Sequence, residues 1–234
     1  MRFLFFCFAV LSAATVWGQT GSDGARKYSV GFSVSPDYNV RVPIYFGREY
    51  DLPNDVFSQV DIPQIGLTTG VNGVYRLNKT VDLQTGLWYT LRRYKFKEQT
   101  HLVLECDFTN SCPDNIPRRS QINHVHHLVG IPLKANFNFG QKRLRWTLGA
   151  GATGNVLVGS TTKARVVYED GSEGTQIGHA TMFKKFTLTP EISFGANYAI
   201  NDKSYLKVEP TLRALIPMGY MWGTGLNIGY YRRM

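Results

Sequence analysis

The sequence predicts an all-β protein, specifically an eight-stranded antiparallel up-and-down transmembrane β-barrel. Three observations lead to this fold class: apolar and polar residues alternate along eight segments, short and long connections alternate between those segments, and the charged residues share the polar face. Alternation with a period of two is typical of strands with one apolar and one polar face. The chain has 234 residues, 43% of them hydrophobic, which is enough for one domain of this kind.

The N-terminal residues are typical of a secretory signal peptide. Met1 and Arg2 precede an apolar run, and small residues then lead to Gly18 and Gln19. The apolar run is shorter than the roughly 20 residues that a helix needs to span a bilayer. The predicted organisation is a cleaved signal peptide at 1–18, a short N-terminal tail at 19–26 and an outer-membrane β-barrel at 27–234.

The chain is basic, with a formal net charge of +9 that falls to +8 when Arg2 leaves with the signal peptide. A basic chain is compatible with nucleic-acid binding, but export from the cytoplasm argues against that class. Lys and Arg also pair with the phosphates of anionic head groups. We therefore expect outer-membrane lipid and lipopolysaccharide as partners, together with the barrel-assembly machinery, and no nucleic acid.

The alternation is clearest between Phe186 and Ile200, where every even position is apolar and the odd positions are small or polar apart from Ala199. A helix would not produce this period, whereas a strand with an apolar and a polar face does. The same pattern recurs in seven other segments. The eight predicted strands are 28–35, 65–77, 81–97, 124–139, 144–156, 186–200, 205–216 and 222–231.

The connections between these strands alternate in length. Tight turns rich in turn-forming residues occur at 77–80, 140–143 and 201–204. The connections at 40–64, 98–123 and 158–185 are long, and the one at 217–221 is short. Short periplasmic turns, longer outer loops and an even strand number are typical of outer-membrane barrels.

The alternative is a soluble β-sandwich or lipocalin-like barrel, which also shows alternating strands. A soluble barrel places large apolar side chains inside and charges outside, whereas here the face rich in Gly, Ser, Thr and Asn also carries the charges. An eight-stranded barrel has an interior that side chains just fill, which favours a salt-bridged plug over a conduction path. The predicted lumenal charge network comprises Asp82, Lys134, Arg145, Glu191, Lys207, Glu209 and Arg213.

Aromatic residues near the ends of the predicted strands are expected to form girdles at the two membrane interfaces. These residues are Trp88, Tyr94, Phe96, Phe137, Phe139, Tyr198, Tyr205 and Tyr230. Three prolines, Pro132, Pro190 and Pro210, fall inside predicted strands. Since proline lacks the N–H that a ladder needs, we expect each to mark a bulge or a local break.

Two segments carry a resemblance to a known family. The strand from Leu128 to Phe139, followed after a turn by Leu148-Gly149-Ala150-Gly151, resembles the Pro-Leu-x-x-x-Tyr/Phe strand and the Gly-rich strand of the PorT-like outer-membrane β-barrel family. Gln84 to Tyr89 resembles that family's third strand. The resemblance implies an eight-stranded barrel and, through the founding member, an association with a secretion apparatus.

Two groups of residues are candidates for reactive sites. His124 and His126 share a face at the outer end of a strand, next to His127, but no carboxylate or thiol is placed beside them as a metal site requires. Ser160, Glu169, Asp170 and His179 occur in one predicted loop, a composition that arises readily by chance. We predict no catalytic, cofactor-binding or metal-binding residues, no cofactor and no enzymatic activity.

Cys106 and Cys112 lie in a polar segment of the second long connection. An exported protein meets an oxidising compartment, where such a pair closes a small loop. We therefore predict a Cys106–Cys112 disulfide.

These features leave three functions open. The first is a structural or surface-interaction scaffold whose long loops are held by a rigid barrel. The second is a narrow channel for small solutes, and the third is an accessory role in secretion, which rests on the resemblance.

Overall fold

The structure is a computed structural model that describes residues 27–41, 62–96, 98–100, 117–140, 143–178, 185–216 and 221–234. The eight barrel strands are β1 Tyr28–Arg41, β2 Ile62–Arg76, β3 Val81–Lys95, β4 Pro117–Phe139, β5 Leu144–Tyr168, β6 Phe186–Asn201, β7 Ser204–Leu215 and β8 Met221–Arg233. Two short strands, Gln99–Thr100 and Glu173–Gly178, pair with β4 and β5. Within the described residues, no helix has the length and hydropathy needed to cross a membrane.

The eight strands close into an antiparallel barrel. Each strand pairs with its neighbour in the chain, and β1 pairs with β8 from Ser29 opposite Arg233 to Arg41 opposite Met221. Closure pairs the backbone N–H and C=O groups between strands, which is the condition for a sheet to cross a bilayer. The eight-stranded fold class is therefore confirmed.

The two faces of the barrel have opposite polarity. Large apolar side chains point outward, including Phe32, Ile131 and Leu133, the last of which is 66% exposed. The inward positions of the described strands are mainly Ser, Thr, Asn, Gln and charged residues. This sidedness suits lipid outside and a polar lumen, and it is the reverse of a soluble barrel.

The predicted aromatic girdles are only partly correct. Phe137, Phe139, Tyr198 and Tyr230 point outward and are about half exposed. The other four were wrongly assigned, because their positions in the two-residue repeat place them on the lumenal side. Trp88, Tyr94 and Tyr205 are buried, and Phe96 packs against the buried Tyr94 and Leu215.

The three strand prolines mark local breaks, as expected, and they do so without bulges. Each proline keeps a partner on one neighbouring strand. On its other side the ladder is interrupted, and at Pro132 and Pro210 it resumes in the same register. Beyond Pro190 only a single bridge, Leu188–Ile216, follows. A proline lacks one donor, so a strand can tolerate it where one ladder is interrupted. The retained partners of Pro132, Pro190 and Pro210 are Thr153, Ala152 and Leu226.

Several strands are longer than the alternation predicts. β1 continues to Arg41, and β4 and β5 have 23 and 25 residues. A tilted transmembrane strand needs only about 9 to 11 residues, so β4 and β5 extend beyond the bilayer. Part of the predicted loop 158–185 is therefore a hairpin of β5 and Glu173–Gly178, turning at Gly171 with a φ of 81°.

The start of β1, the C-terminal Met234 and the tight turns lie at one end of the barrel. Met234 N donates to the carbonyl of Tyr28, and Arg233 N donates to the carbonyl of Lys203. Gly140 begins the turn between β4 and β5 with a φ of 99°, a conformation that glycine adopts without steric cost. By the general rule for outer-membrane barrels this is the periplasmic end, and the long β4–β5 extension is extracellular.

Candidate functional site

The candidate site is the charged cluster at the centre of the lumen. Five of the seven predicted charged residues meet there: Lys134 from β4, Glu191 from β6, and Lys207, Glu209 and Arg213 from β7. The strand register explains the meeting, because Lys134 is opposite Gly151, which is opposite Glu191, which is opposite Arg213. The side chains therefore project into the lumen at neighbouring levels.

Ion pairs connect these residues across the lumen. Lys134 Nζ lies 3.2 Å from Glu209 Oε2 and 3.6 Å from Glu191 Oε1. Lys207 Nζ lies 3.0 Å from Glu209 Oε1, and Arg213 Nε lies 3.1 Å from Glu191 Oε2. The two Lys134 pairs link β4 to β6 and β7, strands that the backbone ladder does not connect directly.

Asp37 completes the cluster, and the sequence reasoning missed it. Its Oδ1 lies 2.6 Å from Arg213 Nη1 and accepts a 2.7 Å hydrogen bond from Ser35 Oγ, while its Oδ2 accepts one from Thr68 Oγ1. The prediction ended the first strand at Ser35, before Pro36. The available signal was the alternation itself, since polar residues continue at every second position to Asn39.

The completed cluster is balanced in charge. Three cations, Lys134, Lys207 and Arg213, face three carboxylates, Asp37, Glu191 and Glu209. Taking charges out of water is costly, and close pairing with additional hydrogen bonds offsets the cost. The balance explains how six charges lie in a nearly inaccessible interior.

A layer of amides and aromatic rings surrounds the periplasmic side of the cluster. Lys207 Nζ donates to Gln84 Oε1 and Asn136 Oδ1, both at 3.1 Å. Asn72 Oδ1 accepts from Gln84 Nε2 at 3.0 Å and from Trp88 Nε1 at 2.7 Å. These hydrogen bonds hold the amide and indole side chains in place, and the side chains fill the lumen next to the charges.

Apolar clusters lie on both sides of the charged cluster. On the periplasmic side, Tyr231 and Tyr205 stack with ring centroids 5.0 Å apart and pack with Val74. On the outer side, Tyr94 and Leu215 form a second buried cluster. The charges are thus enclosed between two buried apolar layers, and the side chains of Lys134, Glu191 and Glu209 are at most 1% exposed.

Lumenal glycines provide the space that the charged side chains occupy. A Cβ at Gly149 would contact Lys134 Cε, and one at Gly225 would contact Asp37 Oδ1. The neighbouring side chains therefore fill the space that these glycines leave.

Two predicted members of the network lie apart from the central cluster. Asp82 pairs with Arg76 at 3.5 Å and accepts a 2.7 Å hydrogen bond from Asn138 Nδ2, near the periplasmic end. Arg145 lines a cavity at the same end. The predicted network is therefore divided between a central cluster and the periplasmic mouth.

The histidines belong to an aromatic cluster in the outer half of the lumen. Tyr94 stacks on His124 and His126, with ring centroids 4.7 and 5.3 Å apart. His126 hydrogen-bonds with Tyr94 Oη at 3.1 Å and Ser160 Oγ at 3.0 Å. His127 points outward and hydrogen-bonds with Tyr89 Oη at 2.6 Å. The imidazole rings of His124 and His126 therefore pack and hydrogen-bond inside the lumen and help to fill it.

Among the other candidate residues that the structure describes, Ser160 hydrogen-bonds with His126. Glu169 and Asp170 are exposed in the turn of the β5 hairpin, and the Asp170 carboxylate accepts from Ser172 N at 2.8 Å. No group of three or more potential metal ligands occurs among the residues that the structure describes. His179 lies outside those residues, as do the signal peptide and the predicted Cys106–Cys112 disulfide.

Arg92 is an additional buried cation that the sequence reasoning did not single out. It lies on β3 opposite His126 and is 4% exposed. Its Nε and Nη1 have no hydrogen-bond partner in the described part of the chain. It adds a positive charge on the outer side of the balanced cluster.

Comparison with known proteins defines the family. Residues 18–233 match the model of the outer membrane protein beta-barrel domain family, so the chain belongs to that family and its location is the outer membrane. No curated protein matches the sequence.

Several solved structures are similar to this chain. Neisserial surface protein A (NspA) is 16% identical, with a TM-score of 0.46 over 91% of this chain and 100% of that one. OprG from Pseudomonas aeruginosa is 7% identical, with a TM-score of 0.42 over 88% and 96%. Ail, the attachment invasion locus protein of Yersinia pestis, is 10% identical, with a TM-score of 0.35 over 89% and 99%.

Proposed function

We propose that this protein is a non-conducting scaffold of the outer membrane, with a structural or surface-interaction role carried by its extracellular segments. The observation that supports this most directly is the filled lumen. The Lys134 side chain is 1% exposed and the Glu209 side chain is not exposed at all. A side chain in a conducting pore would contact water.

The extracellular extension of the sheet supports the surface role. β4 and β5 continue beyond the length that a bilayer requires, and Glu173–Gly178 adds a strand to that projection. An exposed ion pair, Arg165 with Glu173, joins the two strands of the hairpin at 2.6 Å. Long connections on a rigid barrel are suited to recognition.

A solute-flux assay tests the proposal. The folded protein is inserted into vesicles loaded with sucrose, beside protein-free vesicles and vesicles that contain a large porin. We expect efflux equal to that of the protein-free vesicles, because the lumen is closed at its centre. Rapid efflux through the folded wild-type protein would overturn the proposal.

A narrow channel is the second candidate. It is favoured by the polar lining of the whole described lumen, including the unpartnered guanidinium nitrogens of Arg92. The same vesicles distinguish the two functions when potassium and chloride permeation is measured with ion-sensitive dyes. Ion permeation without sucrose efflux would support the narrow channel.

Kinship with PorT-like proteins and an accessory role in secretion form a third candidate. It is supported by the Leu128–Phe139 and Leu148–Gly151 motifs, which form adjacent strands here. Deletion of the gene followed by comparison of the secreted proteome tests it. An unchanged secreted proteome would remove its support.

The proposal includes export and assembly partners. We propose cleavage after Gly18, insertion by the barrel-assembly machinery, and contact of the finished barrel with outer-membrane lipid and lipopolysaccharide. The outward apolar residues support the lipid contact. N-terminal sequencing of the membrane-extracted protein should begin at Gln19, and depletion of the assembly machinery should reduce the folded form.

A further inference from the structure

The periplasmic end of the lumen contains a cavity of about 320 Å³ lined by three arginines. Arg143 directly precedes β5, Arg145 is the second residue of β5, and Arg233 is the last residue of β8. The β5–β6 register places Asn197 opposite Arg145. The volume lies within the range of roughly 300 to 1,000 Å³ that small-molecule sites occupy.

The cavity has an excess of positive charge. None of its three arginines forms an ion pair within the described part of the chain, and Asp202 contributes the one carboxylate to the described lining. Arg233 Nη1 donates to the backbone carbonyl of Asp202 at 3.2 Å, and its guanidinium lies 5.3 Å from the Tyr205 ring centroid. An anion bound between like charges that line one cavity would stabilise them.

Two polar atoms of the lining have no partner among the described residues. Arg233 Nε is buried and has no hydrogen-bond acceptor there, and Asn197 Oδ1 has no donor. Asn197 is held in place through its Nδ2, which donates to Thr147 Oγ1 at 2.6 Å and to Asn138 Oδ1 at 2.9 Å. A buried donor that lacks an acceptor is a site where a ligand oxygen gains a hydrogen bond.

The ligand chemistry follows from the donors. Guanidinium groups present forked N–H pairs that match phosphate oxygens, and a phosphate also offers several acceptors to separate arginines. Ile200, which is 45% exposed, forms part of the same lining, so the cavity reaches the lipid-facing rim of the barrel. We propose that this cavity binds a phosphate group at the periplasmic mouth.

Two sources supply this chemistry: the phosphodiester of an inner-leaflet phospholipid and a free phosphate in the periplasm. Isothermal titration of the mature full-length protein in a neutral maltoside detergent distinguishes them. The probes are inorganic phosphate, dihexanoyl-phosphatidylglycerol and, as a zwitterionic comparison, dihexanoyl-phosphatidylcholine. Binding of the anionic lipid alone identifies a lipid head group, whereas binding of inorganic phosphate identifies a site that accepts the free ion.

Three variants separate the cavity from the general charge of the rim. Arg145→Gln and Arg233→Gln each remove a guanidinium from the cavity and should weaken binding about tenfold. Arg232→Gln is the matched control, because Arg232 is the neighbouring residue, is exposed and does not line this cavity. It should change the affinity by less than about twofold.

Gel mobility before and after boiling checks that each variant is folded. Arg145→Gln carries the test if Arg233→Gln does not fold, since the structure describes no hydrogen bond that Arg145 would lose. If neither inorganic phosphate nor dihexanoyl-phosphatidylglycerol binds, the proposal is overturned. An equal loss of affinity in Arg232→Gln would also overturn it, since that result would assign the binding to rim charge.

Discussion

Glu209 is the residue on which the central cluster depends most. Its carboxylate faces Lys134 and Lys207 and accepts a 3.2 Å hydrogen bond from Ser193 Oγ. Asn227 Nδ2 lies 3.5 Å from the same carboxylate. Removing one partner of a buried ion pair leaves the other charge uncompensated, which costs more than the pair itself contributes.

The first prediction concerns this carboxylate. Glu209→Gln should lower the free energy of unfolding by about 3 to 5 kcal/mol, because Lys134 and Lys207 lose their shared counter-ion. Urea unfolding in lipid vesicles measures the change. Glu173→Gln is the control, since its partner Arg165 is exposed and its loss should leave stability unchanged. Equal stability of Glu209→Gln and wild type would contradict the account of the cluster.

The second prediction concerns the space beside the charges. Gly149→Ala should destabilise the barrel by about 1 to 3 kcal/mol, because the new Cβ meets Lys134 Cε and Asn136 Oδ1. Gly154→Ala on the same strand is the matched control, since its Cβ would meet nothing within 4 Å. The same unfolding assay compares the two, and a well-tolerated Gly149→Ala would show that the lumen has free room there.

At the residue scale, sequence reasoning could identify which charges face inward but not which of them meet. The period of two fixes the face of each residue on its own strand. The meeting of Lys134 with Glu209 depends on the register and tilt of strands that are 75 residues apart in the chain. Asp37 was missed because the first strand was predicted to end at Ser35.

At the element scale, the strands were predicted well within the membrane and poorly beyond it. Lipid on one side and a polar lumen on the other impose the alternation, so β6 and β7 were found to within one residue at either end. The β4–β5 extension has water on both faces and loses that constraint. Residues 117–123 and 158–168 were therefore predicted as loop although they form strand.

The aromatic residues show the limit of assigning a role from residue type. Trp88 and Tyr94 were expected at the membrane interface because Trp and Tyr are enriched there. Both share the lumenal face with Gln84 and Thr90, and Trp88 packs against the Arg213 guanidinium, 5.4 Å from its ring centroid. The period of the strand is a better guide to the face than the residue type.

The third prediction tests the lipid-facing surface of β4. Leu133→Arg should destabilise the barrel by about 2 to 4 kcal/mol, since a charge replaces an exposed leucine on the lipid side. Ile177→Arg is the control, because Ile177 is equally exposed but lies on the extracellular hairpin in water. Unfolding in vesicles should separate the two. Similar small effects would show that Leu133 does not face lipid.

At the scale of the whole molecule, closure of β1 on β8 gives the barrel its resistance to unfolding. The fourth prediction is that the membrane-extracted protein migrates differently on a denaturing gel before and after boiling, because a closed barrel stays folded in the detergent until it is heated. A chain with identical mobility in both samples and full solubility in buffer would contradict the barrel architecture.

Ion conductance across a planar bilayer tests the central claim, that the balanced cluster and its two apolar layers close the lumen. Wild type should give no stepwise current over a range of voltages, with insertion verified by the folded gel band. The Lys134→Ala/Glu209→Ala double variant is the positive control, because it removes a central ion pair. Stepwise current through this variant would show that the assay detects an opened lumen. Reproducible steps from wild-type protein would contradict the claim.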